Sequence, residues 1–394
     1  MNLPTRFELK KLAVYYGSMA ALGLIVGSQG PALADLARQT GTDLGGVSLI
    51  LVMRPLGYLV GALVCGLLLD RRAGHPLMAV AALVCALLLV RVPMTRSLPV
   101  LAGLILGLGF AHSFLDVGSN TLITWVFGKR VGPYFSGLHF SFGMGAFIAP
   151  MLVGWSLAAH GSSGWAFWLM ALALLVLALS LALVPSPPRA VPDTGHPAQP
   201  LNRRWAAACL GLFFLYGGIE AGFGSWIYQY AVSLRLVEAA RAAMLTSLFW
   251  GLLGLGRLAG IPLLAVLTPR QLLAALIPLA LASLSLLLAL PGSPVALWAG
   301  TAGMGLAMAC LFPTLVVFAS GRLGAGGRIS GGVTGLLFLG SSSGGMTLPW
   351  LMGQLFVPRG PRVALGLVWL ALASLTILYG GVWYRSVGEA PRAV

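Results

Sequence analysis

The chain has 394 residues, of which 58% are hydrophobic and 8% are charged, and its mean hydropathy is +0.93. Water-soluble domains carry about 25% charged residues, so this composition excludes a soluble protein and indicates an integral membrane protein. The net charge of +15 comes from lysines and arginines in loops, where it reports membrane orientation and gives no reason to expect a nucleic-acid partner. The four cysteines fall within apolar segments and suggest neither disulfides nor a metal site.

Twelve apolar stretches follow one another along the chain, each long enough for a membrane-spanning helix of about 20 residues. They are continuous rather than alternating, which excludes a closed β-barrel. More lysines and arginines fall in the loops on the side of the membrane that holds the N-terminus than in the loops on the opposite side. Because positive loops stay in the cytoplasm, this predicts a multi-pass protein of the cell membrane with both termini in the cytoplasm. The twelve stretches lie near residues 12–33, 45–69, 76–95, 99–127, 133–158, 164–185, 205–233, 240–267, 271–291, 293–320, 328–355 and 363–384.

A polar, proline-rich insert, residues 185–204, divides the chain nearly in half. Its sequence, PSPPRAVPDTGHPAQPLNRR, cannot continue a helix, so we expect a cytoplasmic linker there. The linker separates an N-terminal unit, residues 1–184, from a C-terminal unit, residues 205–394, and each unit contains half of the apolar stretches.

The two units resemble each other in sequence. GLHFSFGMGAFIAPMLVG (137–154) matches GLLFLGSSSGGMTLPWLMG (335–353), and GLGFAHSFLD (107–116) matches GMGLAMACLF (303–312), at a nearly constant offset. A six-helix unit repeated in tandem is the plan of transporters whose halves rock about a central site. The sequence therefore predicts an all-α membrane fold of twelve transmembrane helices in two pseudo-symmetric six-helix bundles.

Two acidic residues, Asp116 and Glu220, lie deep within predicted helices. A carboxylate at the bilayer centre costs about 2.5–3.5 kcal/mol, and such residues mostly line aqueous pathways. His112, Asp116 and Asn120 are spaced four residues apart and share one helix face. This stripe predicts ion coupling by Asp116 and solute binding by His112 and Asn120. The alternative is a structural clamp, in which Asp116 pairs with a neighbouring helix.

Arg54 is the other buried charge of the N-terminal unit. It precedes Asp70 by four to five helical turns, which places it ~24 Å from the inner face, and by the same rule Asp116 lies ~20 Å from that face. These similar depths allow an ion pair between Arg54 and Asp116 across a cavity. Arg54 is also a candidate solute ligand. The alternative is that the Arg54 side chain extends to the outer headgroups.

In the C-terminal unit, four glycines surround Glu220 in the segment LYGGIEAGFGSWIYQYA. They permit local unwinding of the helix at a cavity. Glu220 is predicted to be a second ion-coupling residue, and the one obvious basic partner for it is Arg257. If it were unpaired, the Glu220 carboxylate would stay protonated or hold a cation.

Further polar and aromatic residues of the helices are candidates for the solute site or for gating. Aromatic rings could stack on a sugar, or could belong to the aromatic belt at the membrane interface. An intramembrane histidine could contact the solute, or could be a hydrogen-bonded packing residue. The candidate ring-stacking residues are Trp226, Tyr228 and Trp250, the histidine is His139, and the candidate gating residue is Arg257.

GLLLDRRAGH (66–75) resembles the loop 2–3 signature of the major facilitator superfamily, with its acid, its first arginine and both glycines in place. His75 stands where a second basic residue is usual. A carboxylate and arginines at helix ends can clasp two halves together in one state. Asp70 and Arg71 are therefore predicted to act in gating.

Within that superfamily the chain resembles the fucose–proton symporter branch, especially its sodium-dependent glucose transporter-like members. In the branch, an acid on helix 4 and an asparagine four residues later are associated with proton coupling and sugar binding, and Asp116 and Asn120 occupy these positions. The acid that fucose symporters carry in helix 1 is absent here; Gln29 stands nearby and is a candidate solute ligand. The resemblance rests on GPALADLA (30–37), FLDVGSN (114–120), LHFSFGMGAFIAP (138–150), GGIEAGFGSWIYQYAV (217–232) and SLFWGLLGLGRLAGIP (247–262).

The resemblance implies a secondary active transporter rather than an enzyme. It would move a small polar solute, with a hexose-like sugar favoured, by alternating access coupled to protons or sodium ions. The alternatives are a proton-coupled exporter of drugs or metabolites and, less favoured, an intramembrane enzyme. We expect a monomer without a cofactor, whose partners are its small-molecule substrate and the lipid bilayer.

Overall fold

The computed structural model describes residues 5–188, 203–323 and 331–388. Twelve long helices make up almost all of this part of the chain, which confirms the predicted all-α fold, and a short helical turn, Leu44–Val47, precedes the second helix. The helices are α1 (Arg6–Thr40), α2 (Ile50–Leu69), α3 (Gly74–Arg91), α4 (Leu98–Phe127), α5 (Val131–His160), α6 (Gly164–Leu183), α7 (Arg203–Ser233), α8 (Ala239–Val266), α9 (Pro269–Ala289), α10 (Pro294–Leu323), α11 (Gly331–Arg359) and α12 (Pro361–Gly388).

Eleven of these helices are long and apolar enough to cross a membrane. The helix outside that set is α11, in which three consecutive serines, Ser341 to Ser343, and several glycines lower the mean hydropathy. The predicted linker, 185–204, falls largely on residues outside the described ranges, so its boundaries and the division into two units at that point stay predictions.

The helix ends carry residues that satisfy free backbone groups. The hydroxyl of Thr5 accepts a hydrogen bond from the backbone N–H of Glu8 at 3.2 Å, and the Glu8 carboxylate accepts one from the N–H of Thr5 at 2.7 Å. This capping box begins α1. Gly41 ends α1 and Gly161 ends α5, with φ of 65° and 69°, a left-handed backbone conformation that glycine adopts without strain.

The same helix pairs form in both halves of the molecule. In the first half, α1 packs on α5, α2 on α4, and α3 on α6; in the second half, α7 packs on α11, α8 on α10, and α9 on α12. The matched sequence segments lie on α4 with α10 and on α5 with α11, which are equivalent helices of the two halves. The sequence repeat therefore corresponds to a repeated six-helix packing unit.

Glycines bring the paired helices close together at equivalent places. Gly145 of α5 packs against the backbone carbonyl of Ala20 on α1, and Gly344 of α11 packs against that of Phe214 on α7, and neither contact leaves room for a Cβ. Gly217, beside Glu220, meets the backbone of Ser341 in the same way, and α7 is continuous from Arg203 to Ser233. The local unwinding that these glycines permit does not occur in this structure, where they serve close helix packing.

The two halves pack together along α5 and α8. They also meet at the end of the bundle farthest from the N-terminus, where α1 leads into α2 and α7 leads into α8. We call this the far end. There the Gln229 side-chain amide donates to the carbonyl of Gly30 at 3.0 Å, and the Gln354 amide donates to the carbonyl of Gly45 at 2.9 Å. Gly30 also lies against the backbone of Ser225, where a Cβ would sit 2.6 Å from the carbonyl oxygen. The far end is thus sealed by backbone contacts that require a small residue.

Replacing Gly30 with leucine is expected to keep the far end from closing, because the added side chain meets backbone that cannot rotate away. We expect a cysteine placed at Ser342, deeper in the bundle, to become labelled from the far side by a membrane-impermeant maleimide. Gly103→Leu is the matched control, since a Cβ at Gly103 meets no atom within 4 Å. Equal labelling in the two variants would contradict the assignment of Gly30 to the seal.

Candidate functional site

A cavity of about 250 Å³ lies between the two halves and is lined by side chains from both of them. Apolar residues such as Met19, Leu22 and Phe142 form part of the wall. Polar and aromatic residues form the rest, so a solute in this cavity meets groups on either half. The polar and aromatic lining residues used below are Gln29, Arg54, Tyr58, His112, Asp116, Glu220, Trp250, Ser341 and Ser342.

Asp116 is positioned by two hydrogen bonds. The Tyr58 hydroxyl donates to Oδ2 at 2.9 Å, and the Asn120 amide donates to Oδ1 at 2.6 Å. The i, i+4 spacing on α4 brings Asn120 to Asp116, so the predicted polar stripe forms, and the His112 ring lies 5.5 Å from the Tyr58 ring. Asn120 is not among the lining residues of the cavity, and its contact in this structure is with the Asp116 carboxylate.

Tyr58 is a site residue that the sequence interpretation missed. It lies one helical turn after Arg54 on α2, so both side chains face the cavity. The i, i+4 spacing of a tyrosine from an arginine within a membrane-spanning helix is the signal that could have identified it. The same spacing places Tyr216 beside Glu220 on α7, where the Tyr216 hydroxyl donates to the carboxylate.

Arg54 bonds to a neutral amide. Its Nε donates to the Gln29 side-chain oxygen at 3.0 Å, and both residues line the cavity. Among the described residues, the ion pairs within 4.0 Å do not include Arg54 with Asp116. The predicted ion pair is therefore absent from this structure, since Tyr58 and Asn120 occupy the Asp116 oxygens. The alternative, extension to the outer headgroups, is also wrong, because Arg54 faces the cavity.

Glu220 is held by Arg257. The two side chains form a salt bridge at 3.5 Å, and both are about one fifth exposed, 19% for Glu220 and 21% for Arg257. The sequence left open whether Glu220 is paired with Arg257 or unpaired, and the structure shows that Arg257 on α8 and Tyr216 on α7 both reach it. Glu220 nevertheless lines the cavity.

Besides Asn120, three of the predicted solute ligands lie outside the cavity wall. Trp226 is fully buried, donates from Nε1 to the carbonyl of Pro349 at 2.9 Å, and stacks on Phe356. Tyr228 is buried in the apolar core. His139 packs edge-on against a phenylalanine of its own helix. The structure thus gives Trp226 and Tyr228 packing roles, because both side chains are buried. His139 is half-buried, and its solute contact stays a prediction.

Trp250 is the one predicted ring-stacking residue that the structure brings to the cavity. It is 4% exposed, and its ring makes an edge contact with Phe142 of the other half. The gating candidates Asp70 and Arg71 are exposed, and no ion pair of the described residues involves either of them. Their predicted clasp stays a prediction.

His75, in the same loop signature, is buried between helices. Its Nε2 lies 2.8 Å from the Tyr15 hydroxyl, and its Nδ1 lies 2.7 Å from the carbonyl of Val184. Its backbone N–H donates to the hydroxyl of Ser186 at 2.7 Å. The histidine that replaces the usual basic residue therefore ties α1 and α3 to the chain that leaves α6.

The architecture is that of a transporter with its site between two six-helix bundles. The family model of the Major Facilitator Superfamily matches residues 15–349. The chain belongs to the Major Facilitator Superfamily. It is 30% identical over 381 residues to sodium-dependent glucose transporter 1 of Xenopus laevis, covering 88% of this chain and 76% of that protein.

Solved structures agree on the fold. A mutant of the nucleoside transporter NupG superposes with a TM-score of 0.77 at 14% identity, over 95% of this chain and 99% of that one. A bacterial homologue of the human lysosomal transporter Spinster, inward-facing and unoccupied, gives a TM-score of 0.71 at 14% identity, over 94% and 95%. The predicted major facilitator fold and the resemblance to glucose transporter-like members are thus confirmed, and the chain is a membrane transporter.

Proposed function

We propose that this transporter moves a small polar solute of the hexose class by alternating access, coupled to protons or sodium ions. The observation that carries the proposal is the mixed lining of the cavity. Hydrogen-bonding side chains come from both halves, with Gln29, Arg54 and His112 on one side and Ser341 and Ser342 on the other. A solute bearing several hydroxyl groups can bond to both sides at once, and Trp250 offers a ring face for a pyranose.

The size of the cavity supports a small solute. Its volume of about 250 Å³ lies just below the ~300–1,000 Å³ that is usual for small-molecule sites. A drug-sized molecule would need a larger space in this conformation. The relative from Xenopus laevis bears the name of a glucose transporter, which favours the same class of solute.

The sealed far end supports alternating access. Closing contacts at Gly30 and Gly45 hold the halves together on one side of the cavity, so a solute exchanges with the other side. With the basic residues placed inside the cell, the far end faces outward and both termini lie in the cytoplasm.

Purified protein in liposomes tests the proposal. An imposed pH or sodium gradient should drive accumulation of radiolabelled D-glucose or another monosaccharide, and unlabelled monosaccharides should compete. Gradient-driven extrusion of apolar drugs, with no monosaccharide transport, would instead favour the exporter. Sugar movement that follows only its own gradient would overturn the coupling part of the proposal.

Substituting Trp250 and Trp226 separately should distinguish a solute-binding residue from a packing residue. Trp250→Ala is expected to weaken solute binding about twofold to tenfold, because stacking on an aromatic ring contributes ~0.5–1.5 kcal/mol. Trp226→Ala is expected to lower the unfolding temperature while the solute affinity of the folded fraction stays unchanged, since Trp226 contacts Pro349 and Phe356. Titration of both variants, with thermal unfolding in parallel, checks this. The reverse pattern would contradict the placement of the cavity.

A further inference from the structure

A guanidinium stands in the cavity wall without a carboxylate beside it. Arg54 uses Nε to bond to Gln29, and within the described part of the chain no acid lies within 4.0 Å of it. A neutral amide satisfies one of the five N–H donors of arginine and leaves the positive charge uncompensated. Charges inside a membrane domain are usually paired, because an isolated charge is costly in a low-dielectric setting.

The two carboxylates of the cavity are engaged elsewhere. Asp116 accepts hydrogen bonds on both oxygens, from Tyr58 and from Asn120. Glu220, in the other half, is paired with Arg257 and also accepts from a tyrosine. Arg54 is therefore a cation of the cavity wall with no carboxylate of the described residues within 4.0 Å of it.

Hydrogen-bonding capacity is also unused on this side of the cavity. Gln29 is 7% exposed and His112 is 2% exposed, and both line the cavity. Among the described residues, neither Nε2 of Gln29 nor Nδ1 of His112 has a hydrogen-bond partner. Unpaired buried polar atoms cost free energy, so these two favour a polar ligand group placed next to Arg54.

Resting on the transport function proposed above, we propose that the preferred solute is an acidic sugar, a hexuronate or an aldonate, whose carboxylate binds the Arg54 guanidinium. The planar fork of arginine matches the two oxygens of a carboxylate, and such charge-assisted pairs are stronger than bonds between neutral groups. The sugar hydroxyls then face Ser341 and Ser342 across the cavity, with Trp250 against the ring.

A matched ligand series tests the proposal on the full-length, wild-type protein. D-Glucuronate, D-glucuronamide and D-glucose differ mainly in the charge and hydrogen bonding at one carbon. We expect D-glucuronate to bind about tenfold to a hundredfold more tightly than the other two, as measured by calorimetric titration, which corresponds to the net gain of a hydrogen bond to a charged group. Equal binding of the acid and the amide would overturn the proposal.

Variants then assign the preference to Arg54. Arg54→Gln should lose the preference for the acid, so that D-glucuronate and D-glucuronamide bind with similar affinity, and thermal unfolding shows whether the variant is folded. Arg96→Gln, at an exposed arginine away from the cavity, should behave as wild type. An equal loss of affinity for all three ligands in Arg54→Gln would contradict carboxylate recognition. If that variant does not fold, the wild-type series alone decides.

Transport of the same series separates the two proposals. Gradient-driven accumulation of D-glucose, with D-glucuronate neither bound nor competing, would overturn the acidic-sugar inference and leave the hexose transporter intact. Absence of binding and transport for every monosaccharide, acidic or neutral, would overturn both. Accumulation of D-glucuronate, lost in Arg54→Gln, would support both.

Discussion

Replacing Asp116 with asparagine is expected to abolish gradient-driven accumulation while solute exchange across the membrane continues. Asparagine keeps the size of the side chain and can still accept from the Tyr58 hydroxyl, so the solute cavity should survive. It cannot take up and release a proton, and it carries no charge to hold a sodium ion. With one proton per neutral solute, a gradient of one pH unit supports about tenfold accumulation in the wild type. In Asp116→Asn the internal and external solute concentrations should become equal.

Exchange and accumulation must be measured on the same liposomes, since loss of both would indicate a damaged protein rather than lost coupling. Asp43→Asn is a suitable control: Asp43 is exposed, and its side chain caps the short helical turn by accepting from Gly46 at 2.7 Å, a role that asparagine also fills. Unimpaired uphill transport by Asp116→Asn would show that this residue does not couple. If the variant fails to express, Asp116 serves as a clamp between α2 and α4.

Breaking the pair of Glu220 and Arg257 is expected to destabilise the second half of the molecule. Glu220→Gln leaves the Arg257 guanidinium without its carboxylate, and breaking a buried ion pair from one side costs about 3–5 kcal/mol. The lower end of that range applies here, since both side chains are about one fifth exposed. Arg257→Gln should destabilise similarly, and the double variant should lose less stability than the sum of the two single variants because both charges are gone.

A double-mutant cycle of thermal and denaturant unfolding measures this coupling, which we expect to be about 1–3 kcal/mol. Additive effects of the two single substitutions would contradict a functional pair. The double variant also tests ion coupling: because Glu220 is already paired, we expect proton or sodium dependence to remain with Asp116. If transport by a stable double variant depends differently on protons or sodium ions, that result would support the ion-coupling role that the sequence predicts for Glu220.

Depth in the membrane could be predicted from the sequence, but side-chain partners could not. Arg54 and Asp116 lie at similar distances along their helices, and both do reach the cavity. Whether they touch depends on the rotation of α2 and α4 about their axes and on competing donors. Tyr58 and Asn120 take the Asp116 oxygens, so Arg54 pairs with Gln29. One-dimensional spacing contains no information about that competition.

The class of protein, the twelve helices and the duplicated halves follow from the sequence by itself. The bilayer requires long apolar helices whose backbone groups form hydrogen bonds within each helix. The duplication is visible in the sequence because similar segments recur at a nearly constant offset. Tertiary structure alone decided that the glycines around Glu220 serve close packing, that Trp226 faces Pro349 while Trp250 faces the cavity, and that Glu220 meets Arg257. These outcomes depend on which face each helix turns to its neighbours. In a membrane domain nearly every face is apolar, so hydrophobic periodicity says little about that rotation.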